Sequence, residues 1–202
     1  MNFRSVQFGL ALVAGILFVR EGYAATGGPG ALHEPDAAAY CAAKGGVVQT
    51  RLPAYGTNGN NPLILAGQRQ FCQFTSRKDG SQINVLLTTL TTRKPSLAAL
   101  AYYAEVQMGS CNGNPASCYC SQLGGTDLFG GATGAGGGWV LNTNYNDVLE
   151  ACIFPDTSSI DSWGLAYHSA GVIRGKNLAK ALRYKNPYGE RRDESPGRRL
   201  PF

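Results

Sequence analysis

One short text occurs twice in this chain, and it limits the available folds more than any other feature. Glu34–Gly46 reads EPDAAAYCAAKGG and Asn114–Gly125 reads NPASCYCSQLGG. Both contain Tyr-Cys, three residues, then Gly-Gly: Tyr40-Cys41 with Gly45-Gly46, and Tyr119-Cys120 with Gly124-Gly125. Cys72-Gln73-Phe74 follows Cys41 by 31 residues, and Cys152-Ile153-Phe154 follows Cys120 by 32. Self-similarity at this spacing implies two copies of one supersecondary unit, each too small to bury its apolar face alone. The expected fold is α+β: a tandem pair of helix-plus-β-hairpin units, spanning residues 34–110 and 111–173, pinned by disulfides.

The ends read differently. Arg4 followed by the apolar run Val6–Val19, then Gly22-Tyr23-Ala24, has the layout of a secretory signal peptide cut after Ala24. The run is shorter than the roughly 20 residues a membrane span needs. Ala25–His33 would be a flexible leader, and the protein is expected in the periplasm or the medium. An exported chain with an even cysteine count implies disulfides. The six are Cys41, Cys72, Cys111, Cys118, Cys120 and Cys152. If equivalent cysteines pair equivalently, the bridges are Cys41–Cys72 and Cys120–Cys152, leaving Cys111 to close a small loop with Cys118. Zinc is disfavoured: Cys118-Tyr119-Cys120 lacks the C-x₂-C spacing and no clustered histidine completes a tetrahedral set. No metal or cofactor is expected.

Local patterns place the elements. Ala37–Lys44 is helix material, with Pro35 at its start and Gly45 at its end. Val47–Leu52 reads as a strand, Pro53–Pro62 as a turn, and 63–65 with 70–74 as the return strand. Ile83–Thr92 (INVLLTTLTT) reads as another strand by its β-branched content. Ser96–Met108 reads as a helix capped by Ser96, with a buried stripe of Leu97, Leu100, Ala101, Ala104 and Met108. In the second unit Asn114 caps a helix ending at Gly124. Thr126–Phe129 opens a hairpin, Gly130–Gly138 forms its tip, and Trp139–Asn142 with Glu150–Phe154 frames the return strand. Leu165-Ala166-Tyr167 aligns with Leu100-Ala101-Tyr102, which leaves about 15 extra residues in the first copy.

Charge is unevenly placed. Residues 25–173 carry seven Lys/Arg and nine Asp/Glu, whereas 174–202 carry nine and three. The folded part is near neutral, so nucleic-acid binding is not expected. The basic tail (Arg174, Lys176, Lys180, Arg183, Lys185, Arg191 and Arg192 among its cations) suits anionic lipid or polysaccharide. Lys176–Tyr184 reads as a short amphipathic helix, and Lys185–Phe202 as disordered.

No catalytic constellation rises above background. A Ser-His-Asp site would use His168, for instance with Asp161, but no G-x-S-x-G elbow exists. Gly130–Gly138 lacks the G-K-[ST] of a phosphate loop. Asp147, Glu150, Asp156 and Asp161 are carboxylates of unknown separation. Asp156 reads more simply as a turn residue and Asp161 as a helix cap. Trp163 and Tyr167, with Tyr40, Tyr102, Tyr103 and Tyr119, read as core or as a pocket lining. Trp139, beside the Gly-rich tip, reads as an exposed contact. Trp139, Trp163, Tyr167 and His168 are the candidate partner contacts.

The second unit has a further pattern: N-P-A-S-x-Y-C-x-x-x-G-G, then C-x-F-P-D, then Ser159–Leu165 as SIDSWGL. Residues 114–171 thereby resemble a small bacterial exported domain of unknown function that often carries a haemolysin label. The first unit keeps Tyr40-Cys41, Gly45-Gly46 and Cys72-x-Phe74 but lacks the Phe-Pro-Asp and the Trp. The resemblance implies an exported, disulfide-bonded α+β domain and carries over no catalytic residues. The expected function is a non-enzymatic binding protein of the envelope or extracellular space, its partner a protein or envelope component. Alternatives are a secreted-protease inhibitor presenting loops 54–61 and 130–139, a hydrolase using His168, and a membrane-active protein acting through its tail.

Overall fold

The computed structural model describes residues 34–127 and 134–189. The expected signal peptide and leader, residues 130–133 of the Gly-rich tip, and Arg191 and Arg192 lie outside the described residues. Helix α1 (Glu34–Ala43) leads into β1 (Val47–Tyr55), β2 (Leu63–Ile64), β3 (Arg69–Thr75) and β4 (Gln82–Leu86). Then come α2 (Leu87–Thr91), α3 (Leu97–Ala104) and α4 (Pro115–Gln122). The remaining elements are β5 (Gly137–Leu141), β6 (Asn144–Leu149), β7 (Ala151–Ile153), β8 (Ser159–Asp161), α5 (Ser162–Ser169) and a 3₁₀ turn at Leu178–Lys180.

The strands form a single antiparallel sheet in the order β6-β5-β1-β3-β4-β8-β7, with β2 beside β1. Its two edge strands, β6 and β7, are separated in the chain by Glu150 alone. A sheet whose opposite edges are joined by one residue cannot lie flat, so it curls until they meet. Side chains alternate between its faces. Cys72, Phe74, Ile83, Val85, Cys152 and Ile160 pack with buried residues of all five helices. Phe71, Leu86, Trp139, Leu149 and Ala151 form a second cluster on the other face. The Phe71 and Trp139 rings lie 5.8 Å apart although β1 runs between their strands, so this cluster fills the inside of the curl.

The cysteine pairs are Cys41–Cys72, Cys111–Cys118 and Cys120–Cys152, with Cα separations of 5.8, 5.8 and 5.5 Å. The two Gly-Gly steps have matching geometry. Gly45 and Gly124 end their helices at φ +81° and +83°. A Cβ on Gly46 would overlap the Cys72 sulfur, and one on Gly125 the Cys152 sulfur. The next residues pair alike, Val47 with Gln73 and Thr126 with Ile153.

Several expectations are corrected. Ile83–Thr92 is not one strand: β4 ends at Leu86 and α2 takes over. Leu87 and Leu90, three apart, are both buried there, and burying such a leucine contributes about 1.5–3 kcal/mol, more than β-propensity differences. The Thr91 hydroxyl donates to the Leu87 carbonyl, and Thr89 Oγ1 accepts from Ser159 N. β1 runs on through Pro53 to Tyr55, because its pairing with β3 ends at Arg51 while pairing with β5 continues from Arg51 to Tyr55 and β2 joins at Ala54 and Tyr55. Helix α3 stops at Glu105, which adopts φ 47°. It buries Ala98, Ala99, Tyr102 and Tyr103, while Leu97 is exposed; the tyrosines face inward because their hydroxyls find backbone partners. The partner of β5 across the hairpin is β6, and β7 pairs with β8 instead. β8 runs straight into α5 as β4 runs into α2, and Leu165 and Leu90 each lie five residues after the paired Ile160 and Val85.

The segment after α5 is not a solvated basic tail up to residue 189. Leu178, Ala181 and Leu182 are fully buried, and Lys176–Tyr184 contains only the short 3₁₀ turn. Three tyrosine hydroxyls hold this strap: Tyr40 donates to Ala181 O at 3.0 Å, Tyr103 donates to Tyr184 O at 2.7 Å, and Tyr102 accepts from Leu178 N at 3.0 Å. At Gly175, φ +60°, a Cβ would overlap the Phe74 carbonyl and lie 2.7 Å from Ile83 N, so only glycine permits this approach. Among the described residues no helix is long and apolar enough to cross a membrane.

Candidate functional site

Where the sheet edges meet, a cleft of about 150 Å³ opens. β1 contributes Arg51, β4 contributes Gln82 and Asn84, and the β6–β7 joint contributes Asp147, Val148, Leu149 and Glu150. Asp161, Trp163 and Arg174 complete the lining. The curl creates the site: residues far apart in sequence converge because β6 and β7 close onto opposite sides of the sheet.

Arg51 is 1% exposed, and all five of its donors are used. Nε and Nη2 donate to Gln49 Oε1, Nη1 to the carbonyls of Trp139 and Asp147, and Nη2 also to Asp147 Oδ1 at 3.0 Å. This guanidinium locks the joint and has no donor left for a ligand. Asp161 Oδ1 accepts from Gly164 N at 2.9 Å, capping α5, and its Oδ2 faces Asn84 Nδ2 at 3.5 Å. Asn84 is 4% exposed, and its Oδ1 has no hydrogen-bond partner. Glu150 accepts from Asn114 Nδ2, tying the cleft to the cap of α4.

The carboxylates here are held against ionisation. Burial pushes the Glu150 carboxyl up and the charges of Asp127 and Asp161 add to this, while the Asn114 amide and the Trp163 indole oppose it. Burial also raises Asp161, countered by the Gly164 amide and by Arg174. Asp127 is raised by burial, against the hydroxyls of Ser117 and Ser162. No group of three or more His, Cys, Asp or Glu among the described residues is arranged to hold a metal ion.

The sequence-based candidates separate. Trp163 lines the cleft. Trp139 is 5% exposed and belongs to the inner core, with the Arg69 guanidinium over its ring; the glycines before it start β5, which carries it inward, so it is not an exposed contact. Tyr167 is exposed, with Arg174 over its ring. His168 lies outside the cleft: it stacks on Tyr102 at 3.8 Å and its Nε2 sits 3.3 Å from Glu105 Oε1. Burial lowers its pKa, opposed by Glu105. Asp156 is a turn residue, accepting from Ser158, and also accepts from Leu97 N at the start of α3. Arg174, Lys176, Lys180, Arg183 and Lys185 sit on the strap: Arg183 lies over Tyr40, and Lys176 Nζ donates to the Lys44 carbonyl. Sequence reasoning passed over Arg51, Gln82 and Asn84; Arg51 and Asn84, polar residues inside strand-like runs, were the available signal. No family model, curated protein or solved structure matches this chain.

Proposed function

We propose that this chain is an exported, non-enzymatic binding protein built by duplication of one helix-plus-sheet unit, and that it binds through the seam cleft. The observation that carries the reading is the lining itself: an open cleft whose polar side chains are fixed by their neighbours, with one buried acceptor left over. Preorganised polar groups of this kind favour recognition, because little ordering is needed on binding. Export is supported by the three disulfides. Duplication is supported by the matched Gly-Gly steps and by the direct pairing of Val85 with Ile160, each of which also faces the second cysteine of its own unit.

The test is affinity capture from the native envelope and culture medium, with the disulfide-intact protein and its Trp163→Ala variant as baits. A specific component held by the wild type and lost by the variant is the expected result. A component held equally by both would move the binding surface away from the cleft, and capture of nothing specific would sink the binding reading.

A further inference from the structure

The lining of the cleft identifies what it can hold, given the binding role proposed above. Arg51 and Asp147 satisfy each other and the surrounding carbonyls, so they present no free charge. Glu150 and Asp161 line the same opening, where Arg174 acts on Asp161 and the charge of Asp127 acts on Glu150. The opening therefore gathers more carboxyl groups than cations, and burial together with their mutual repulsion holds them back from ionisation. A neutral ligand would leave that repulsion in place; a cation relieves it. Asn84 adds a second, independent indication, since its buried Oδ1 awaits a donor. Trp163 offers an aromatic surface of the kind that attracts cations. Val148 and Leu149 offer apolar contact at the same opening, matching the aliphatic stem behind a charged tip. The volume admits one such group.

We propose that the seam cleft binds one lysine or arginine side chain of a polypeptide partner, its charged head between Glu150, Asp161 and the Asn84 carbonyl and its stem against Val148 and Leu149. A divalent ion is a poorer fit, because the carboxylates do not converge as metal ligands.

The experiment follows the Trp163 indole N–H by NMR in the disulfide-intact protein, its signal assigned with Trp163→Phe. The probes are the amidated peptide Ala-Arg-Ala, ethylguanidinium, and ethylurea as the neutral counterpart of similar shape. The peptide and ethylguanidinium should shift the signal saturably, the peptide more tightly, and ethylurea should not. Glu150→Gln should weaken peptide binding roughly tenfold, the size of effect expected when one partner of a charge pair is neutralised. Asn84→Ala should also weaken it, and thermal melting checks that both variants fold. Equal binding of ethylurea would overturn the cationic assignment while leaving the cleft as a binding site. Tighter binding of ethylguanidinium than of the peptide would overturn the polypeptide source. No shift with any probe would overturn the inference, and the capture experiment then judges the binding role separately.

Discussion

Gly46 and Gly125 sit against their disulfides with no room for a methyl group. A Cβ on Gly46 would also lie 2.8 Å from Phe74 Cε1, and one on Gly125 would lie 3.2 Å from the Ile153 carbonyl. Gly46→Ala and Gly125→Ala should each cost about 1–3 kcal/mol through overpacking, read as a lower denaturant midpoint. Gly45→Ala meets open space and strains only a φ of +81°, so its cost should be near 1–2 kcal/mol, roughly that of a left-handed alanine. His168 sets a pH dependence of known sign. Its pKa is lowered from 6.5 in the fold, so the unfolded chain binds more protons; the stability it contributes is present above pH 6.5 and is lost as pH falls through the folded value. Glu150, Asp127 and Asp161 act oppositely. Their raised values mean that stability is present below the ordinary carboxylate range and is lost as pH rises through the folded pKa. His168→Gln should therefore lose less stability than wild type between pH 7 and pH 5 by thermal melting. Equal losses would leave the imidazole without a part in acid sensitivity.

At the scale of elements, α2 and the disulfides respond to context more than to composition. Leu90 is fully buried beneath the strap, so Leu90→Ala should cost about 2–5 kcal/mol, as other core leucines do. A solvent-facing position in a strand would give a far smaller change, so the same measurement checks the helix. The bridges should differ in worth because they close loops of different length. Cys41–Cys72 spans 31 residues and Cys111–Cys118 spans 7. Chain entropy alone then gives about 4 and about 2 kcal/mol respectively. Replacing each pair by alanine and comparing denaturant midpoints should reproduce that order. The Cys41–Cys72 loss should be the larger again because both sulfurs lie in the main core, where their removal leaves a cavity.

For the whole molecule, the strap of residues 174–189 is a structural part. It closes the helical layer with Leu178, Ala181 and Leu182 and gives Tyr40, Tyr102 and Tyr103 their polar partners. Burial raises the Tyr103 phenol to about 12 and Tyr102 further, so both remain neutral donors or acceptors at any ordinary pH. Ending the chain at Ile173 would expose Leu90 and leave these hydroxyls over an empty apolar surface. Such a protein should lose its cooperative thermal transition, whereas one ending at Gly189 should keep it, as measured by circular dichroism. A cooperative Ile173-ended protein would return the strap to the status of an appendage.

Sequence by itself determined what depends on neighbours along the chain or on chemistry alone. The caps at Ser96, Asn114 and Asp161 were legible because a side-chain oxygen meets amides two or three residues on. The ends of α1 and α4 were legible because glycine alone enters the left-handed region cheaply. The disulfide pairing was legible because a repeated spacing restricts the combinations. Tertiary structure decided the rest. The strand pattern of 87–91 gave way to a helix because two leucines three apart found the core. Trp139 turned inward because β5 docked between β1 and β6, on the sheet face that meets Phe71. The cleft formed because the sheet closes at Glu150 and brings together Arg51, Asn84, Asp161 and Arg174. Hydrophobic burial is nondirectional and acts between residues distant in sequence, so no local pattern carries the information that places these residues in one site.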